Sequence, residues 1–211
     1  MRLSIISELL KKPNVAFEKI SQNPQYFKLA VTIFSISIFI SSFQQISRLV
    51  FHSSQDADAL NIAYMIIGFG GTILSNILMI VIIFYVGKIV KGNTNFKQVF
   101  SVLSFCLIPI MIGAIIIVSG NLFLSYLMAE STDDLFPSYA LDFIVSPMIL
   151  LQIVLLPFGI WSLILYIKAI KITDNFSTLQ AIVLVIFTII LIQLIGMLYS
   201  VGTSIPLQLL S

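Results

Sequence analysis

Residues 62–87 read "IAYMIIGFGGTILSNILMIVIIFYVG", and the chain continues at 88–96 with "KIVKGNTNF". The first stretch contains no Asp, Glu, Lys, Arg or His. As an α-helix it would be about 39 Å long, enough to cross a hydrocarbon core of about 30 Å. Its many β-branched residues would favour a strand in water. In lipid, a segment that bonds its own N–H and C=O groups wins, so it reads as a helix. The polar turn that ends it has a counterpart. "KGNTNF" at 91–96 and "KITDNF" at 171–176 both lie between long apolar runs. Extended backwards, "KIVKGNTNF" and "KAIKITDNF" share the pattern K-x-x-K-x-x-x-N-F.

Four further runs of spanning length lie at about 27–47, 101–127, 143–167 and 179–201. The whole chain is 59% hydrophobic and 9% charged, with mean hydropathy +1.09. A soluble domain carries about 25% charge. The fold class is therefore all-α, a polytopic membrane protein with five transmembrane helices. Residues 1–26 form a cytoplasmic amphipathic segment, 27–204 the five-helix domain and 205–211 a short outer tail.

The basic residues set the orientation. With the N-terminus cytoplasmic and the C-terminus outside, the inner segments hold every Lys and Arg except Arg48. The outer loops then hold Asp56, Asp58, Glu130, Asp133, Asp134 and Asp142. Both lysine-bearing turns fall on the inner side. The likeness between them would suit two hairpins related in parallel, or two inner turns that each need lysines and a reversal.

The turns carry their own local signals. Asn and Gly suit tight reversals because they tolerate left-handed backbone angles or bond locally, and Asp174 and Asn175 can do the latter. "STLQ" at 177–180 fits a capping box, with Ser177 as cap and Gln180 reaching back, and Phe176 just before it. Thr94 or Asn95 is placed to cap the other helix. There Phe96, Val99, Phe100 and Leu103 share an apolar side, with Lys97 and Gln98 opposite, as in a helix that slides along the inner interface before descending. Near the N-terminus Pro13 can open a short helix. Its stripe is Ala16, Phe17 and Ile20, with Lys12, Glu18 and Lys19 facing water, which suits the headgroup plane and anionic lipid. The first 28 residues do not read as a cleaved signal peptide.

Chemistry is sparse. The spans lack ionisable residues near mid-depth, which counts against ion-coupled transport. Asn76, Gln152, Gln193, Ser75, Ser104, Ser119 and Asn121 read as interhelical glue. Pro109 and Pro157 each remove a donor within a span and should kink it at similar depth. With Gln152 they outline a candidate shallow cavity. No catalytic constellation, cofactor motif or metal-ligand set emerges: Cys106 is the sole cysteine and His52 the sole histidine. The acids at 130, 133 and 134 read as a solvated loop, and scattered lysines offer no nucleic-acid groove.

Three stretches together resemble the Yip family of small membrane proteins. "KKPNVAFEKISQNPQYFKLAV" is similar to its lead into the first span. "YVGKIVKGNTNFKQVFSVLSFCLIPIMIG" carries Gly87, Lys88, Gly92, Phe96, Val99 and Pro109 where the family pattern has them. "GIWSLILYIKAIKITDNFSTLQAIVLVI" does so for Gly159, Trp161, Ala169, Ser177 and Ala181. Phe105-Cys106 departs from a tyrosine common before the third-span proline. Eukaryotic members associate with Rab-type GTPases in vesicle traffic, usually through chains with a long polar N-terminal region. The short polar lead here resembles a prokaryotic member, so GTPase association is not carried over to any residue.

The resulting expectation is a non-enzymatic scaffold or adaptor in the cell membrane. It would bind another membrane or peripheral protein through an inner face of Lys88, Lys91, Phe96, Lys168, Lys171 and Phe176. A passive lipid or small-solute translocator and an accessory subunit of a larger complex are the alternatives. Membrane lipids are expected partners, a homo-oligomer is open, and neither cofactor nor nucleic acid is expected.

Overall fold

The fold is taken from a computed structural model, which describes residues 2–52, 58–90, 92, 95–130 and 147–208. All its regular elements are helices. We number them α1 (Arg2–Lys11), α2 (Pro13–Gln22), α3 (Gln25–His52), α4 (Asp58–Ile89), α5 (Phe96–Cys106), α6 (Ile108–Glu130), α7 (Pro147–Asp174) and α8 (Thr178–Gln208). Five stretches are long and apolar enough to cross a membrane: Gln25–Phe43, Gly68–Ile89, Phe96–Gly120, Ile153–Asp174 and Thr178–Leu198. The chain is a multi-pass, all-α integral membrane protein.

The third span is the hub. Within the protein 67% of its apolar window is buried, against 11–28% for the other four. It comprises α5 and α6. α5 packs against α2, α3, α4 and α7, and α6 against α3 and α7. α4 packs on α3 and α8, and α7 on α8. The remaining spans turn Phe39, Leu156, Val183 and Leu198 outward. Such faces belong in lipid, which solvates apolar side chains as well as a core does.

α5 does not slide along a surface. Its residues Ser101–Cys106 are all buried, as are Val99 and Leu103. Phe100 meets the rings of Phe27 and Phe34 on α3, with centroids 5.5 and 5.2 Å away. The third span therefore starts at Phe96, earlier than the hydropathy suggests, because its first turns are apolar only on the side that faces α3.

α5 ends at Cys106 with Leu107 as its C-cap, two residues before Pro109. The proline has no N–H for the Phe105 carbonyl, and its ring disturbs the preceding turn. The chain tightens there: Leu107 N–H donates to Ser104 O at 3.2 Å, and α-helical bonding resumes from Met111 N–H to Leu107 O at 2.9 Å. The Cys106 carbonyl accepts from Ser162 Oγ on α7 at 2.7 Å. Pro109 itself is fully buried. Pro157, by contrast, stands exposed inside the continuous α7.

The N-terminal segment forms two helices, of which α1 went unforeseen. Pro13 occupies the first turn of α2. The stripe Ala16, Phe17 and Ile20 is buried, and so are Ile5 and Leu9 of α1. α2 packs on α5 and α7. The expectation that this stripe lies in the headgroup plane is thus corrected: it faces protein. An ion pair of 2.6 Å between Lys19 Nζ and Glu8 Oε1 ties α1 to α2. Being partly exposed, it adds only about 0.2–1 kcal/mol.

Candidate functional site

The lysine-bearing turns meet at one end of the bundle. In the α7–α8 turn, Phe176 N–H donates to Lys171 O at 3.1 Å, five residues back. Asn175 between them has φ 55°, the left-handed conformation that asparagine tolerates best after glycine. This is a Schellman-type helix ending, which satisfies carbonyls left over at a C-terminus. In the α4–α5 turn, Gly92 N–H makes the equivalent five-residue bond to Gly87 O at 2.8 Å.

Both following helices begin with a capping box. Ser177 N–H donates to Gln180 Oε1 at 2.9 Å, and Gln180 N–H donates to Ser177 Oγ at 3.3 Å. Asn95 N–H donates to Gln98 Oε1 at 3.1 Å, and Gln98 N–H donates to Asn95 Oδ1 at 3.0 Å. The shared Asn-Phe pair nevertheless does different work in the two turns. Asn95 caps a helix and Phe96 is its first residue. Asn175 reverses the chain and Phe176 precedes the cap. The matching of the two hexamers in sequence is not a matching of structural positions.

What the turns do share is contact. Asp174 is buried at 7% exposure, with its carboxylate against the other turn. A Cβ placed at Gly92 would lie 2.5 Å from Asp174 Oδ1, and one at Gly87 would lie 3.3 Å from Oδ2. Neither glycine has a positive φ among the described residues. Their smallness admits the carboxylate; no backbone freedom is needed. Sequence reading gave Asp174 only local bonding. The signal was present in Gly87 and Gly92, but nothing in a linear reading aligns them with Asp174.

Around this lock the candidate face is partly assembled. Lys88 is exposed, its Nζ 5.9 Å from the centre of the Phe84 ring. Phe96 is 43% exposed, although its ring meets Phe84 edge-on at 5.5 Å. Lys171 is exposed and donates to Thr178 Oγ1 at 2.9 Å. Lys168 is half-buried, and Phe176 is only 8% exposed. Phe176 therefore serves the core and presents little surface. Lys91 lies outside the described residues, as does the side chain of Gln152.

A cleft of about 280 Å³ opens between the α2–α3 junction and the start of α5. Pro109 and Pro157 do not line it. Two of the polar residues read as interhelical glue bond within their own helices: Asn76 Nδ2 to Thr72 O at 2.8 Å, Ser104 Oγ to Phe100 O at 2.7 Å. Among the described residues a buried bond between spans comes from Ser162, which no sequence motif marks.

Several positions that carried the family resemblance acquire physical roles here. Gly87 and Gly92 admit Asp174, Ser177 caps α8, and Ala169 and Ala181 are fully buried where helices meet. Comparison with curated proteins and with solved structures found no match to either. The Yip1 domain matches residues 7–200, from within α1 to near the end of α8, and the chain belongs to the Yip1 domain family.

Proposed function

We propose that the protein is a non-enzymatic membrane scaffold or adaptor, with its N-terminus cytoplasmic, that docks a membrane or peripheral protein on the end of the bundle bearing the lysine turns. The observation that carries this reading is the locked arrangement of the two turns. Asp174 fixes the α4–α5 turn against the α7–α8 turn. Lys88, Phe96 and Lys171 thereby stand exposed on a preorganised surface. Binding to a fixed surface avoids the ordering cost of loops that must settle on contact. Exposed lysines beside a half-exposed aromatic ring suit a partner with acidic and apolar groups.

Site-specific photocrosslinking tests the proposal. A photoreactive residue at position 96 or 88 should yield a discrete protein adduct in native membranes. The same residue at position 156, where Leu156 is 61% exposed on the lipid-facing side, should not. Adducts at 96 and 88 indistinguishable from those at 156 would remove the docking face. Charge reversal by Lys88→Glu with Lys171→Glu should weaken the specific adduct while the protein accumulates normally.

A further inference from the structure

We propose that the protein pairs with a second copy of itself in the membrane, through the outward face of α8 around Gln193. This pairing lies along the spans, away from the lysine turns, and does not depend on the docking reading.

The carrying observation is an amide in the wrong solvent. Gln193 stands exposed on α8, about 22 Å along the helix from Thr178 and inside the span Thr178–Leu198. That span holds no charged residue, and Ile189, Ile190 and Leu194 are exposed beside Gln193. Among the described residues the Gln193 side chain makes no hydrogen bond. Other polar side chains in the spans are satisfied locally. Thr188 Oγ1 donates to Leu184 O and Asn76 Nδ2 to Thr72 O, both at 2.8 Å. Lipid tails offer neither donor nor acceptor, so an amide facing them alone is costly.

α4 repeats the pattern at the same level. It packs against α8 and, three crossings earlier, runs the opposite way. Ser75 is exposed about 21 Å from the end of α4 at Ile89, level with Gln193. Gly70 and Gly196 are exposed about 28 and 27 Å from the same two ends, and a Cβ on either would meet nothing within 4 Å. The polar side chains thus share one layer, and the next layer leaves room for a neighbouring backbone to come close.

A second copy is the occupant this arrangement fits. Copies in one membrane share an orientation, so a two-fold axis along the membrane normal sets every residue level with its own counterpart. Gln193 then meets the same amide. Each amide carries both donors and an acceptor, so the pair can close two hydrogen bonds at once. A different protein would have to bring a polar group to that depth by its own design.

The test uses the full chain. Cysteines are placed singly at Ile189, Ile190 and Leu194, with Gln193 kept, and the membranes are oxidised. Cys106 is fully buried and should stay silent. At least one of the three should give a disulfide-linked species of twice the chain's mass. Ile160→Cys, at a 58% exposed position on α7, should not. In liposomes at falling protein-to-lipid ratio, single-molecule photobleaching should count two copies per spot. Gln193→Leu should weaken the pairing about fivefold or more, and Gln193→Asn should recover part of it. Leucine suits a lipid-facing site, so the Gln193→Leu chain should fold. Equal crosslinking at position 160, adducts to a different protein, single copies throughout, or pairing that Gln193→Leu leaves unchanged would each overturn the proposal.

Discussion

The Asp174 carboxylate occupies the space that any side chain at Gly92 would need. A Cβ on Gly92 would stand 2.5 Å from Asp174 Oδ1 and 2.8 Å from the Gly87 carbonyl oxygen. Two turns far apart in the chain are thus joined by one acid and two glycines. The relationship fixes the end of α7 against the end of α4, and with it the position from which α5 starts.

Gly92→Ala should therefore be destabilising by about 1–3 kcal/mol, the usual penalty for adding a methyl to a filled site. Thermal unfolding in detergent measures it. In an Asp174→Ala background the penalty should shrink but persist, since the Gly87 carbonyl remains in the way. An identical penalty in both backgrounds would show that the carboxylate does not set the limit at Gly92.

The break before Pro109 makes a second prediction. Ser162 Oγ donates 2.7 Å to the Cys106 carbonyl, and both residues are buried. Ser162→Ala leaves that carbonyl without its partner from α7. The expected loss is about 1–2 kcal/mol, at the scale of interhelical bonds in membranes. Ser162→Thr should recover part of it. Ser119→Ala, on the exposed side of α6, should change little.

The five spans were legible because length and hydropathy are local properties. The caps were legible for the same reason: Ser177 with Gln180 announces itself within four residues, and Asn95 stood as one of two neighbouring candidates for the other helix. The stripe Ala16, Phe17 and Ile20 was visible, but not what covers it, since an apolar face fits a bilayer and a protein equally well. Phe176 looked like a surface residue because its neighbours are polar, whereas burial depends on how α7 and α8 meet. Asp174 and Ser162 were missed for one reason. Each acts on a backbone group or glycine remote in sequence, and a single sequence does not reveal which distant turns touch.

The buried α2 stripe leads to a third prediction. Phe17 is fully buried between α2 and its neighbours. Phe17→Ala should cost about 3–5 kcal/mol at that site, enough to release α1 and α2 while the spans stay in the membrane. Limited trypsin digestion should then cut rapidly after Lys11 or Lys19. Leu10→Ala, which alters a 48% exposed side chain, should leave the digestion rate unchanged. Equal protection of both variants would return the N-terminal helices to a lipid-bound role.

The orientation gives the fourth. Five crossings put the two lysine turns on the same side, and the distribution of Lys and Arg leads us to expect that side in the cytosol. Cys106 is the sole cysteine and is fully buried, so it should stay silent to a bulky thiol reagent. Lys88→Cys presents a thiol on an exposed position beside the α4–α5 turn. In intact cells a membrane-impermeant maleimide should leave it unlabelled, and permeabilisation should make it reactive. Asp56→Cys, one crossing away, should behave in the opposite way. Labelling of position 88 from outside would invert the bundle and put Lys88, Phe96 and Lys171 where no cytoplasmic partner could reach them.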